Sequence, residues 1–158
     1  MPGSDCVYWD SCILLAWLKD KKDRKPGEMA GVREYVNRIK RREVHMMTSA
    51  LTYAEILGGK LPVGVYQLFD DLMKRNSITR LSVDMRIAKL AEDLREHYVA
   101  IRSQNNDRIL SVPDAIHLAT AILYKADEFH TCDEENRKRT LGLIPLNGNV
   151  AGHSLLYL

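Results

Sequence analysis

The sequence lacks several features that would place it in a familiar class. Its three cysteines, Cys6, Cys12 and Cys132, form no CxxC pair, so we expect no structural zinc site and a reducing, cytoplasmic environment. No apolar run approaches the ~20 residues of a membrane span, and no basic segment followed by a long apolar stretch suggests a secretory signal. No GxxxxGK[ST] or GxGxxG loop is present, so nucleotide binding by a glycine-rich loop is unsupported.

The composition is that of a globular protein. The chain has 158 residues, of which 46% are hydrophobic and 28% charged, and it contains no repeat, low-complexity stretch or linker. We therefore expect a single domain over residues 1–158. The net charge is +2, and basic clusters lie at residues 19–25, 38–42 and 137–139. Each cluster is either a solvated helix face or part of a phosphate-attracting surface, and charge alone does not separate the two.

Short apolar runs alternate with helical patterns along the chain. Apolar residues at three- and four-residue steps predict amphipathic helices, and Asp84 and Pro113 have residue types that favour helix starts. Strands are predicted at residues 7–9, 44–48, 78–83, 128–132 and 143–146, and the tail at 148–158 is expected to cover the core. This alternation favours an α/β fold in which helices cover both faces of a parallel sheet.

Four acidic residues, Asp10, Glu55, Asp114 and Asp133, each lie where a strand-like run gives way to a helical one. In an open α/β sheet these junctions line the crevice at the carboxyl ends of the strands, where ligands bind. Carboxylates gathered there repel one another and need a divalent cation. The pattern therefore predicts a Mg²⁺ or Mn²⁺ site, for which phosphoester hydrolysis is the natural chemistry.

Each acid also has a purely structural explanation. Asp10 and Asp133 could cap the helices that follow them, and Asp114 lies in a first turn, where the helix dipole favours an acid. Thr52-x-x-Glu55 has the form of a capping box, although Ser49 competes as the cap. Capping does not explain why two buried strands run directly into aspartate, so the joint pattern favours the acidic cluster.

Neighbouring residues are less informative. Ser11 and Thr131 flank the acids and could orient carboxylates or water, but either hydroxyl could equally cap backbone groups. His117 follows Asp114 by one helical turn and is interpreted as a packed core histidine rather than a general base. Cys12 and Cys132 border the proposed site and are adequately explained as small buried hydrophobes.

Four segments together resemble the PIN-domain nucleases, and most of all the VapC-type toxins among them. These segments are VYWDSCILLAWL, TSALTYAEIL, VPDAIHLATAI and FHTCDEENRK, which together span nearly the whole chain. The resemblance implies a three-layer α/β/α sandwich with a central parallel sheet of about five strands. It also implies a metal-dependent ribonuclease in which the acidic quartet, matched by Asp10, Glu55, Asp114 and Asp133, holds one or two Mg²⁺ or Mn²⁺ ions.

Other positions match the family less completely. Thr131 matches the Ser/Thr that often precedes the last acid, and Ser11 follows the first aspartate where Ser or Thr is common. Cys12 is a mild departure from the small or polar residue expected next. Some family members carry a further acid after the last one, whereas this chain has Asn136 nearby.

The resemblance also implies partners. VapC-type proteins are toxins of toxin–antitoxin pairs, so a homodimer and a cognate antitoxin segment along the active-site groove are expected. The expected substrate is single-stranded or loop RNA, whose unstacked bases and backbone can reach a cleft.

Two alternatives stay open. One is a catalytically silent PIN-like module that binds RNA or protein, and the other is a metal-dependent phosphatase or DNA nuclease. Against the phosphatase, Asp10 is followed by Ser-Cys-Ile rather than by the pattern of a DxDxT strand end.

Overall fold

Among the residues that the structure describes, five parallel strands form a single sheet at the centre of the protein. The structure, a computed structural model, describes residues 5–19, 27–58, 61–132, 139–143, 146, 149–153 and 156–157. The strands are β1 (Cys6–Trp9), β2 (His45–Ser49), β3 (Ile78–Leu81), β4 (Glu128–His130) and β5 (Leu156–Tyr157). Their order across the sheet is β3-β2-β1-β4-β5, and every neighbouring pair is parallel. The first strand of the chain is therefore the central strand of the sheet.

In the described ranges, six helices connect and cover these strands. They are α1 (Ser11–Leu18), α2 (Glu28–Lys40), α3 (Leu51–Gly58), α4 (Val63–Met73), α5 (Met85–Ala100) and α6 (Val112–Leu123). A short 3₁₀ turn, Arg102–Asn105, lies between α5 and α6. Within the described ranges, no helix is long and apolar enough to cross a membrane.

The side chains of β1 alternate between two separate hydrophobic cores. Tyr8 points to the face covered by α5 and α6, where it stacks on Phe129 with 5.2 Å between ring centroids. Val7 and Trp9 point to the opposite face, where α1, α2, α3 and α4 supply the apolar side chains. All three residues are at most 1% exposed, as expected for a parallel sheet covered on both faces. The predicted three-layer α/β/α sandwich is confirmed.

The helix starts follow the local chemistry that the sequence indicated. The Asp84 carboxylate accepts hydrogen bonds from the N–H groups of Arg86 and Ile87 and caps α5, as predicted. Pro113 lies in the first turn of α6, also as predicted, and Ser111 is the capping residue. In both helices, the side chain of the capping residue accepts hydrogen bonds from N–H groups of the first turn that have no partner within the helix.

One predicted strand is wrong. Leu143 is fully buried in a bend and Leu146 lies in a 3₁₀ turn, so neither is in a strand, while residues 144–145 fall outside the described part of the chain. A four-residue apolar run specifies burial, but it is too short to specify the conformation in which the residues are buried. The fifth strand comes instead from the tail, where Leu156–Tyr157 pairs with β4. Val150 of the same tail is fully buried, so this part of the tail does cover the core.

Candidate functional site

Asp10 and Thr131 are neighbours at the carboxyl edge of the sheet. Asp10 directly follows β1, and Thr131 directly follows the adjacent β4. The two strands are in register, with Trp9 paired to His130, and the Asp10 N–H lies 3.5 Å from the His130 carbonyl oxygen. The fold thus brings together two predicted site residues that are far apart in the sequence.

The Asp10 carboxylate receives hydrogen bonds from several directions. Its Oδ1 accepts from the backbone N–H groups of Cys12 at 3.2 Å and Ile13 at 3.3 Å, so Asp10 does cap α1. The Cys12 thiol donates to the same oxygen at 3.1 Å, and the Thr131 hydroxyl also hydrogen-bonds the carboxylate. Capping fixes the orientation of this carboxylate and leaves its role at the sheet edge open.

Burial dominates the electrostatics of Asp10. The residue is only 3% exposed, and this loss of hydration raises the pKa of its carboxyl group well above the usual range. His117 and the Thr131 hydroxyl oppose this rise. A carboxylate whose charged form is destabilised by burial is stabilised by a nearby cation.

Cys12 is more than a small apolar residue. A hydrogen bond with Cys132 and burial raise the pKa of the Cys12 thiol well above its usual range. The thiol therefore stays neutral and can donate to Asp10, while its sulfur accepts from the Cys132 backbone N–H at 3.3 Å. The interpretation of Cys12 as only a buried hydrophobe missed this contact.

Glu55 is held by a histidine rather than by its own helix. Its Oε1 lies 2.5 Å from Nε2 of His117, whose Nδ1 lies 2.6 Å from the Tyr8 hydroxyl. The capping box Thr52-x-x-Glu55 does not form, because the Thr52 hydroxyl pairs with that of Thr48 at 2.8 Å. The competing Ser49 accepts instead from the N–H of Leu51 at the start of α3.

Asp114 forms a reciprocal pair with the residue that caps its helix. The Ser111 hydroxyl donates to Oδ2 of Asp114 at 2.7 Å and accepts from the Asp114 N–H at 3.3 Å. Asp114 is half-buried and precedes His117 by three residues, which places both on the same side of α6. The helix that carries Asp114 therefore also carries the partner of Glu55.

The remaining predicted residues are less informative. Ser11 is the first residue of α1 and is buried beside Asp10. Asp133 lies outside the described residues. His117 is buried, as predicted for a core histidine, but both of its ring nitrogens have polar partners. The spacing Asp114-x-x-His117 is the sequence signal that places His117 near the site, since residues three apart lie on the same side of a helix. The sequence could not identify Glu55 and Tyr8 as the partners of the His117 ring.

The side chains at this edge fit a hard divalent cation by their chemistry. Asp10, Glu55 and Asp114 offer carboxylate oxygens, the ligand atoms that Mg²⁺ and Mn²⁺ prefer, and the buried Asp10 has a charge that a cation would stabilise. Within the part of the chain that the structure describes, no three acidic, histidine or cysteine side chains are grouped closely enough to hold a metal ion. The fit therefore rests on ligand chemistry and on the burial of Asp10.

We predict that Asp10→Asn stabilises the protein in EDTA at pH 7 by about 1–3 kcal/mol, because the amide keeps the cap and replaces a carboxyl group whose ionised form burial disfavours. The raised folded-state pKa means that ionised Asp10 destabilises the native state above its unfolded pKa of about 3.9. The gain should vanish as the pH falls below that value. Urea unfolding at several pH values measures it.

The exposed Asp93 provides the matched control, since Asp93→Asn should change stability by no more than ~0.5 kcal/mol. An Asp10→Asn protein that is less stable than wild type at pH 7 would contradict the electrostatic account. A difference in stability that does not change with pH would also contradict it.

Comparison with known proteins identifies a family and a similar solved structure. No curated protein matches the chain. Among solved structures, the chain is similar to one in a toxin–antitoxin complex from Klebsiella pneumoniae, with 24% sequence identity, a TM-score of 0.46, and coverage of 79% of this chain and 84% of that chain. Residues 7–140 match the PIN domain family along most of the sequence. The chain therefore belongs to the PIN domain family.

Proposed function

We propose that the protein is a metal-dependent ribonuclease whose site is formed by Asp10, Glu55, Asp114 and Asp133. PIN domains are typically nucleases and typically bind metal. The observation that carries the proposal is the Asp10 carboxylate, which is buried at the carboxyl end of the central strand and raised in pKa by that burial. A purely structural cap would function as well with an exposed or uncharged side chain.

The four acids would contact the metal in two ways. Asp10, Asp114 and Asp133 would hold one or two Mg²⁺ or Mn²⁺ ions directly, and Glu55 directly or through water. When bound, the cation acidifies the attacking water and stabilises the negative charge that develops on the phosphate in the transition state.

The chain's own contribution is to orient the ligand oxygens before the substrate arrives. The N–H groups at the start of α1 and the Thr131 hydroxyl hold Asp10, while the Ser111 hydroxyl holds Asp114. Carboxylates that are already fixed need little reorganisation when substrate phosphate binds, which lowers the barrier to reaction.

Of the predicted basic clusters, only residues 38–42 are described in full, since residues 20–25 and 137–138 lie outside the described part of the chain. Residues 38–42 end α2 and precede β2, so they lie at the amino end of the strands, opposite to Asp10. Arg41 pairs there with Glu34 and Glu43, which reduces its attraction for phosphate. This cluster is therefore better explained as a solvated helix end than as an RNA contact.

Two other arginines are better placed for a nucleic acid. Arg102 and Arg139 line an open cavity of about 570 Å³ together with Asp107 and Ile109. Ile109 lies two residues before Ser111, the cap of α6, so the chain leads from this cavity directly into the helix that carries Asp114. We propose that this surface binds the backbone of single-stranded or loop RNA.

For the biological role we propose the toxin of a toxin–antitoxin pair, acting as a homodimer and inhibited by an antitoxin segment that covers the acidic edge. The same chemistry would also serve RNA maturation or turnover. The two roles differ in what uninhibited activity does to a cell.

The acidic site is tested most simply at Asp114. We predict that Asp114→Asn reduces Mg²⁺- or Mn²⁺-dependent cleavage of a mixed, structured RNA pool by at least about 100-fold, because a direct ligand should matter at least as much as its outer partners. Asp93→Asn makes the same chemical change on the exposed side of α5 and should retain activity. Metal-dependent cleavage that survives Asp114→Asn would exclude Asp114 from the site.

The toxin role predicts that expression of the wild-type chain arrests growth, whereas the Asp114→Asn protein is tolerated at equal abundance. A colony-forming assay with immunoblotting measures both. Normal growth of cells that express a chain able to cleave RNA in vitro would reject the toxin role. The proposed nuclease function would still stand.

The basic surface predicts a change in salt dependence. Replacing Arg102 and Arg139 together with glutamate should weaken RNA binding and reduce the slope of log affinity against log salt by about 1.4, since each single-strand phosphate contact contributes ~0.7. Lys40 and Arg42, at the opposite edge, give the matched charge-reversal control. Equal losses in both double variants would indicate a general charge effect instead of a local binding surface.

A further inference from the structure

His117 connects three elements of the candidate site. It lies on α6, its Nδ1 is 2.6 Å from the Tyr8 hydroxyl on β1, and its Nε2 is 2.5 Å from Oε1 of Glu55 on α3. The residue is 1% exposed. A buried histidine needs polar partners for both nitrogens, but here one partner is itself a candidate metal ligand at the edge of the sheet.

The chemistry of the partners fixes the direction of the hydrogen bond to Glu55. An ionised carboxylate has no hydrogen to donate, so Nε2 must carry the hydrogen that joins the ring to Glu55. In the neutral ring, Nδ1 is then an acceptor for the Tyr8 hydroxyl. Tyr8 therefore holds the ring in the orientation that points Nε2–H at Glu55.

Glu55 has more need of such a partner than the other acids. Its side chain is longer than that of aspartate and is 28% exposed, so it has more conformations to lose when it binds a ligand. Asp10 is oriented by the start of α1, and Asp114 by Ser111. His117 supplies the equivalent restraint for Glu55.

We propose that His117 is a positioning residue for the reaction, which fixes the Glu55 carboxylate towards the metal site while Tyr8 fixes the imidazole ring. This inference depends on the proposed nuclease function. Partners that orient metal ligands in this way typically affect metal affinity or activity by 10- to 100-fold.

A double-mutant cycle with Glu55 separates positioning from general support of the fold. His117→Leu should lower kcat for RNA cleavage and Mn²⁺ affinity by about 10- to 100-fold in the wild-type background. In the Glu55→Ala background, the same substitution should have no further effect, because the residue that it positions is gone. Equal losses in both backgrounds would overturn the proposal and assign His117 a structural role.

Two gentler variants keep the test decisive if His117→Leu does not fold. His117→Gln retains an N–H donor and should recover part of the lost Mn²⁺ affinity. Tyr8→Phe removes one buried oxygen and leaves the His117 ring without its Nδ1 partner. This variant should weaken Mn²⁺ binding only when Glu55 is present. Wild-type Mn²⁺ affinity in Tyr8→Phe together with full activity would contradict the proposal.

His130 is the matched control. It is also buried, and its two ring nitrogens also contact an aromatic residue and a glutamate, with Trp9 at 2.8 Å and Glu128 at 2.8 Å. Glu128 begins β4, at the end of the strand opposite to Asp10. Any effect of His130→Leu should therefore be the same with and without Glu55, whereas the effect of His117→Leu should not.

Nitrogen-15 NMR of the histidine rings tests the contact without requiring catalysis. At pH 7 in the metal-free protein, His117 should carry a hydrogen on Nε2, and Glu55→Ala should shift the Nε2 signal. A ring protonated only on Nδ1 would overturn the proposal even in an active enzyme. If wild type binds Mn²⁺ but cleaves no RNA, the ribonuclease function fails, while the Mn²⁺ affinities and the ring signals still decide whether His117 positions Glu55.

Discussion

The burial of the Asp10 charge is the constraint on which the candidate site depends. The central strand β1 passes between two hydrophobic cores and ends at this carboxylate, which has lost nearly all contact with water. The cost of that burial is only partly offset by the N–H groups of α1 and by the Thr131 hydroxyl. The folded chain thus holds a carboxyl group in a place where its charged form is favoured by a bound cation, and the neighbouring strands determine which other residues lie beside it.

The three described acids share one principle of construction. Each accepts a hydrogen bond from a donor that the fold holds in place, although the donors differ: the start of a helix for Asp10, a distant imidazole for Glu55 and a serine hydroxyl for Asp114. Two of the acids take part in helix capping as well. Capping and ligand binding are therefore not competing explanations here, because a cap that fixes a carboxylate also sets the direction in which its oxygens can meet a ligand.

Local patterns predicted the local features of the fold. The alternation of strands and helices, the cap at Asp84 and the start of α6 all depend on neighbouring residues, and each agrees with the structure. The pairing of strands that are far apart in the sequence was harder to predict. Residues 143–146 were expected to form the last strand, but β5 is formed by Leu156–Tyr157 because an edge strand depends on where the tail returns to β4.

The candidate site shows the same division. The strand-to-helix junctions indicated Asp10, Glu55 and Asp114 from the sequence, and the register of β1 with β4 brings Thr131 to Asp10. The link from Tyr8 through His117 to Glu55 joins residues 109 and 62 positions apart, which no periodicity can reveal. Sequence reasoning could identify His117 as a residue near the site but could not identify what it holds.

The central claim is that these carboxylates meet around a divalent cation at the carboxyl edge of the sheet. The most direct measurement is the anomalous X-ray scattering of crystals of the full chain grown with Mn²⁺. The account predicts a peak within ligand distance of carboxylate oxygens from Asp10 and Asp114, with Glu55 in contact directly or through a water. A fully occupied Mn²⁺ elsewhere with none at this edge would contradict the account. So would acids whose oxygens contact only protein groups and leave no space for an ion.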